Sequence, residues 1–589
     1  FLYSHFDCPV STFCKRSSMR PTVASFMPLL ESLFLLLCTA LAPYLALQGG
    51  SQFTQADIAA IEQAVALVLL LIAAGIVYLI GHRPTWFAFA SSAFQFEIKK
   101  PATTWPLFLP MLALVIYIPI INRELYEHLF LADTDFTNIS AALNHTALGL
   151  GPLHTPFLRT GNTGSYLGHH FSPGLFTLVP FYLLGDFIQS IRIWPEGYRA
   201  THFLYAGILW SILVFALIVW ARLTVIEIRN LYVAIPVFSA ILLSFLLWRL
   251  ALSYHSELLV LLFSGVAFYA KQTRRLVIFW CALFLWMSVK EDLAIYVFLY
   301  GLYVLSNKNE YRRLSFPLAI LACSALYFIL ARFVLMDWFA GGAPMHWESF
   351  WSDVWSTDRG HLSTIILLLI SFSFLPLLQV RLFVLTILPI LVLHLFSYHP
   401  WHKELLGHYG YAVLPFILLA FIRSTRRVIG WFHLFERPSL SIPFMLLLLA
   451  AAMFGASRDS ALPVMRQTPD PRYATVETLI QTIPAGSCVQ TQSPFSAHAP
   501  LDVLVFPLMI PEQNAYHNKM PGPHNFEAFH FEKPFCDEYY VLIDLNEVRI
   551  PDYTQEHVRA FDEYARNNMQ LMVERDSVRL YRFTMIGVN

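Results

Sequence analysis

Long apolar runs separated by short polar intervals fill the chain as far as position 455, and shorter apolar stretches in a polar background follow. Spans are read at 26–47, 64–80, 105–121, 171–188, 201–221, 231–248, 256–270, 276–289, 293–305, 316–335, 362–378, 382–397, 409–422 and 442–455. Such runs have to be helices, because lipid offers the backbone no hydrogen-bond partner outside its own segment. From 456 onward Pro, Asp, Glu and Asn become frequent. There 487–492, 503–506 and 539–545 read as buried strands, 555–567 as an amphipathic helix, and 571–573 with 578–583 as a hairpin closing across 575–577. The expected fold is therefore mainly α: a polytopic transmembrane bundle of about 13 crossing helices plus one re-entrant or interfacial helix, followed by a small C-terminal α/β domain outside the cytoplasm.

Composition sharpens this picture. With 57% apolar and only 13% charged residues over 589 positions, the chain is excluded from the ordinary soluble enzymes. Its 39 basic and 39 acidic residues cancel, so nothing points to nucleic acid, and the informative feature is where the cations fall. The intervals 271–275, 308–313 and 423–427 are the most basic and are expected in the cytoplasm, with the cluster at 15–20 and Arg83, Lys99 and Lys100. If every span crossed, 271–275 would fall on the opposite side. The segment 171–188, short and interrupted by Pro173, Gly174 and Pro180, is expected not to cross. The outside face then receives 122–173, 253–257, 290–292, 336–360, 399–408 and the tail. Four regions follow: a cytoplasmic tail at 1–25, an additional hairpin and linker at 26–104 whose first span is retained as an anchor, a core at 105–456, and a periplasmic domain at 457–589.

The cysteines carry little chemistry. Cys38, Cys281 and Cys323 fall inside apolar spans and read as small buried hydrophobes, whereas Cys488 and Cys536 share the polar domain and are a candidate disulfide in an oxidising compartment.

The polar intervals assigned to the outside hold the candidate functional groups. The first, 122–173, contains Asp133, Asp135, Arg159, His169 and His170; then come Tyr254-His-Ser-Glu257, Lys290-Glu-Asp292, and a histidine-rich rim that ends in His408-Tyr409. Ionisable groups at span ends facing a bundle interior are candidates for function. Each has a plainer reading too. The aspartates cap a short helix, His169 and His170 cap the interfacial segment, Ser253 caps the helix after it, and Lys290, Glu291 and Asp292 neutralise one another within a turn.

Taken together and in order, Asp133 and Asp135, Gly168-His-His-Phe-Ser-Pro173, Tyr254-His-Ser-Glu257, Val289-Lys-Glu-Asp292 and His408-Tyr409 before Leu414-Pro415 resemble an uncharacterised bacterial family of polytopic membrane proteins. That family is itself similar to the GT-C superfamily of integral-membrane glycosyltransferases. The resemblance runs from about Trp105 to the C-terminus and departs from the family's Phe-His-Pro-Glu pattern at Tyr254-His-Ser-Glu257. It implies a GT-C-like core in a bacterial inner membrane, with a polyprenyl-phosphate sugar as donor at the periplasmic face and an acceptor of unknown identity. Asp133 or Asp135 would take the acceptor's proton. Lys290, Arg159, His169 or His170 would face the departing phosphate, and Glu257, Glu291 and Asp292, with His255, would orient those cations or bind a divalent metal ion. His408 and Tyr409 would contact substrate. Two other classes stay open: a lipid or solute transporter, which would place charges at the bilayer midplane and show paired repeats, and a non-catalytic subunit of a membrane complex with a partner protein over the cavity.

Overall fold

A computed structural model describes residues 107–127, 134–154, 165–190, 201–340, 360–395, 397, 400–434, 438–457, 472–496, 498–500, 503–507, 536, 538–546 and 555–583. The spans expected at 26–47 and 64–80, the N-terminal tail, and the residues Asp133 and Arg159 lie outside the described residues.

The described part is mostly helical and ends in a small sheet. Its helices are α1 (Phe108–Glu127), α2 (Thr134–Ala147), α3 (Val179–Ser190), α4 (Thr201–Ile228), α5 (Leu231–Leu242), α6 (Phe245–Leu252), α7 (Leu258–Gln272), α8 (Leu276–Ser288) and α9 (Leu293–Ser306). They continue with α10 (Ser315–Ala340), α11 (Gly360–Ser371), α12 (Val380–Leu395), α13 (Leu414–Trp431), α14 (Pro438–Ser457), α15 (Tyr473–Ile480) and α16 (Gln555–Asn568).

The helix lengths correct the expected count. Among the described residues three helices are long and apolar enough to cross a membrane, Leu204–Ile228, Ser315–Ala340 and Leu440–Ser457, or four if the bent pair α5 and α6 is one span. The reason is geometric. At about 1.5 Å per residue, the 15 residues of α7 reach only about 22 Å, short of a hydrocarbon layer of about 30 Å. The segment expected not to cross is a 3-10 turn at Pro173–Thr177 followed by the 12-residue α3, again short of that length.

Three boundaries also move. The run at 231–248 breaks after Leu242 and bends by 53°. The carbonyl freed at that break is recovered by the Trp248 indole, whose Nε1 donates to Leu242 O at 2.9 Å, so an apolar run tolerates the kink. The basic interval 423–427 is not a loop but the second half of α13. The interval expected to open at Met336 is still helical to Ala340, past a π-helical turn at Ala331–Leu335.

Side-chain contacts orient the bundle. The ends of α7, α9 and α13 meet twice. Glu257 before α7, Lys290 before α9 and His408 before α13 gather at one end. Lys271 of α7, Tyr303 of α9, Glu310 just beyond α9, and Arg423 of α13 gather at the other, where Arg423 also reaches Glu227 of α4. The three basic intervals thus share one end and the candidate residues the other. Between them Phe268, Trp286, Tyr300 and Phe416 pack ring on ring, with centroids 5.4–6.2 Å apart, and separate the two polar clusters with an aromatic layer. Cys281 and Cys323, expected to be buried, are exposed on the outer faces of α8 and α10, where a weakly polar thiol is tolerated.

The C-terminal sheet has the order β2-β1-β3-β5-β4, with β1 (Cys488–Thr491), β2 (Leu504–Pro507), β3 (Tyr539–Asp544), β4 (Gln570–Arg575) and β5 (Val578–Phe583). β1 is parallel to β2 and β3, and β5 is antiparallel to β3 and β4. Alternation along Tyr-Tyr-Val-Leu-Ile-Asp sends Tyr540 and Leu542 to the face covered by α15, and Val541 and Ile543 to the face covered by α16. Cys488 and Cys536 form a disulfide at the start of β1. Helix α2 from the first polar interval packs against this domain, since Ala141 shares a core with Val476, Ile480, Val503 and Val505.

Candidate functional site

The site is built from three chain turns that precede α7, α9 and α13. Tyr254, directly before His255, has φ of 56°, a left-handed conformation uncommon for a residue with a bulky side chain. This backbone turn ends α6 and starts α7. Ser253 does not cap the helix that follows, because its hydroxyl donates to Leu250 O at 2.9 Å. His255 and Glu257 are both buried.

Glu257 is the hub. Lys290 Nζ lies 3.1 Å from its Oε1, His255 Nδ1 3.3 Å from its Oε2, and His408 Nε2 3.8 Å from its Oε1. The imidazoles of His255 and His408 stack with centroids 3.5 Å apart, and the Lys290 ammonium also lies 5.4 Å from the centroid of the Tyr411 ring. Burial alone would raise the Glu257 carboxyl, but the Lys290 ammonium, with a hydrogen bond from His255, outweighs it and holds the group well below the ordinary carboxylate range. For Lys290 burial acts against the charge, and Glu257, Asp292 and Glu291 more than offset it, so the amine stays protonated. His408 is pushed well below the usual imidazole range by burial and by neighbouring His255. The cluster therefore combines a fixed ion pair with an imidazole held neutral.

Glu291 and Asp292 point to different partners. Glu291 Oε1 pairs with His170 Nδ1 at 3.0 Å and its Oε2 accepts from the Phe171 amide at 3.1 Å, which ties the 168–174 strap to the turn before α9. That strap fits only because two of its residues lack a side chain. A Cβ on Gly168 would lie 2.8 Å from the Ala340 backbone nitrogen, and one on Gly174 2.9 Å from Ser288 O. Asp292 accepts from the hydroxyls of Tyr411 and, at 3.2 Å, Tyr296, while its Oδ1 is shielded and has no hydrogen-bond partner among the described residues. Burial and the neighbouring Glu291 raise its carboxyl. The charges of this turn are not balanced within it alone, because Lys290 also reaches across to Glu257.

Most of the sequence-derived candidates converge. His170, His255, Glu257, Lys290, Glu291, Asp292 and His408 form one connected set; His169 meets His170 edge-on at 4.4 Å between centroids, and Tyr409 packs on His408 at 4.0 Å. Asp135 stands in the first turn of α2, whose next residue, Phe136, meets Tyr254 edge-on at 5.8 Å. Sequence reasoning missed Tyr411 and Tyr296. Tyr296 follows Asp292 by one helical turn and was detectable from that spacing; Tyr411 was hidden by reading 409–422 as a plain span.

His255, Glu257 and His408 also bring three metal-type donors within 4.8 Å of one another. They do not suit a divalent ion in this arrangement, because the Lys290 ammonium already holds the cationic position beside Glu257.

These features define a helical membrane protein with a buried charge cluster at one end of its bundle. Residues 126–509 match the model of the family described as "Predicted membrane protein (DUF2079)", and since the match takes in more than half of the chain, the protein belongs to that family. No curated protein matches the chain.

Proposed function

We propose that the protein is a GT-C-like membrane glycosyltransferase, which moves a sugar from a polyprenyl-phosphate donor to an acceptor at the membrane face carrying the Glu257 cluster. The observation that carries this reading is a protonated lysine, with imidazoles, held at the N-terminal ends of α7, α9 and α13. Helix N-termini and a fixed cation are suited to a phosphate. The flank beside the cluster supports a lipid-borne donor: Tyr327 of α10 packs on Phe171, and the apolar stretch of that helix is only 17% buried, which leaves an apolar face beside the strap that suits a lipid tail.

In this mechanism the acceptor hydroxyl attacks the anomeric carbon while the bond from that carbon to the phosphate oxygen breaks, and the electron pair leaves with the phosphate. Lys290 faces the departing anion, and His255 and His408 line its path. Glu257 keeps Lys290 in position. The acceptor proton passes to Asp133 or Asp135. The bacterial inner membrane, with the C-terminal domain in the periplasm, is the setting that matches the expected charge distribution.

The test is incubation of the purified protein with radiolabelled polyprenyl-phosphate sugars and a membrane extract, comparing the wild type with Asp133→Asn, Asp135→Asn and Lys290→Gln. Loss of transfer in Lys290→Gln and in one aspartate variant, with folding retained, is expected. Equal turnover in all four preparations would remove both groups from the mechanism. A second reading, a non-catalytic subunit, draws on Glu291, both of whose oxygens are spent on the strap. It predicts no transfer from any donor and co-purification of a partner protein.

A further inference from the structure

At the end of the bundle opposite the Glu257 cluster, the α7–α8 turn carries Arg274 and Arg275, and the α9–α10 turn carries Arg312 and Arg313. All four side chains are exposed, and none forms an ion pair among the described residues. The two turns are locked together. Lys271 pairs with Glu310, Arg423 holds the same carboxylate at 2.7 Å, and Phe316 packs against Phe279 and Trp280 at 5.2 and 5.8 Å between centroids. Glu310 is therefore already engaged, and the four guanidinium groups are left without a counter-charge from it. The first turn adds a second observation. Arg274 has φ of 61° at the C-terminal end of α7, with the Arg275 amide donating to Ala270 O at 2.8 Å, a left-handed position that favours glycine. A cation stands where the backbone alone would favour the smallest residue.

Apolar surface begins directly behind these charges. Leu276 and Val277 on α8, and Leu314 with Leu318 beside it on α10, are exposed. We propose that this pair of arginine turns is a binding site for an anionic phospholipid, its headgroup phosphate held by the guanidinium groups and its acyl chains laid along Val277, Leu314 and Leu318. Charge complementarity selects the headgroup, and the exposed apolar residues that follow each turn in sequence select a lipid over a soluble phosphate. The site is independent of the reaction assigned to the Glu257 cluster.

The experiment uses the full chain, delipidated in a zwitterionic detergent, and titrates it with fluorescent dioleoylphosphatidylglycerol or dioleoylphosphatidylcholine. Saturable binding of the anionic lipid is expected, with little binding of the zwitterionic one and no competition by millimolar glycerol phosphate. Changing all four arginines to Gln should weaken the anionic lipid by at least ~100-fold. Changing all four to Lys should leave it near the wild-type affinity, and so should Arg222→Gln with Arg229→Gln, which removes two exposed cations at the end of α4, outside the two arginine turns. Equal affinity for the two lipids, competition by glycerol phosphate, wild-type affinity in the Gln variant, or equal loss in the Arg222/Arg229 control would each overturn the site. If the fourfold Gln variant does not fold, Arg312→Gln with Arg313→Gln carries the same comparison.

Discussion

Replacing Lys290 with Met removes the ammonium but keeps nearly all of the side-chain volume, which isolates the charge. The Glu257 side chain is 6% exposed and Lys290 lies 3.1 Å from its Oε1. Without Lys290 the carboxylate stays buried beside two imidazoles, and it must either remain charged in a dry site or take up a proton. Breaking a buried pair from one side costs about 3–5 kcal/mol. Removing both charges, in Lys290→Met with Glu257→Leu, leaves no orphan, and the double variant should fall within about 1–2 kcal/mol of the wild type. The assay is reversible unfolding in mixed detergent micelles at neutral pH, with all four members of the cycle in one buffer. A coupling energy above about 2 kcal/mol is expected. A cost under about 1 kcal/mol for the single change, or simple additivity in the double, would show that the pair behaves as an exposed one and would remove the physical basis for the hub.

Chelation of divalent ions should leave wild-type stability unchanged, because Lys290 occupies the cationic position beside Glu257; in Lys290→Met, added zinc should raise the melting midpoint through His255, Glu257 and His408. Gly168→Ala and Gly174→Ala each force a backbone contact to open and should cost about 1–3 kcal/mol, with transfer activity falling as the His170–Glu291 tie shifts; unchanged melting of both would show that the strap is not held by close approach. Acid should loosen the contact between α2 and the C-terminal domain. Burial, reinforced by His154, pulls the His145 imidazole down to about 3 from its usual 6.5, so the unfolded chain takes the proton first. Stability is complete above about 6.5 and declines as the pH falls toward 3, by up to about 4–5 kcal/mol; His145→Gln should flatten that slope in a pH series of melts. Cys488→Ser with Cys536→Ser should destabilise the sheet domain by about 2–5 kcal/mol, measured by hydrogen exchange of β1 and β3.

What the sequence made legible divides along physical lines. Strands and the last helix of the C-terminal domain were readable to within a residue or two at most boundaries, because strands covered on both faces read as short apolar runs and Gly486 and Asp576 mark turns with positive φ. The grouping of the basic intervals at one end, and of Glu257, Lys290 and His408 at the other, was also legible, since charges at helix ends have few other places to go. Span lengths were not. Hydropathy registers how apolar a run is, not whether its backbone stays helical. The left-handed turn at Tyr254 and the kink repaired by Trp248 depend on contacts that composition does not encode. The same limit explains the missed Tyr411. In a continuous span it would be one aromatic among many, but the 3-10 turn at Gly407–Ala412 places it so that its hydroxyl donates to Asp292 while Lys290 lies near its ring. Pairings that tie chain turns 33 to 155 residues apart, Glu257 with Lys290 and Arg249 with the Glu404 carbonyl, are set by tertiary packing alone. The site is therefore a product of three helix N-termini brought to one end of the bundle by tertiary packing, where the Glu257–Lys290 ion pair and the two stacked imidazoles meet.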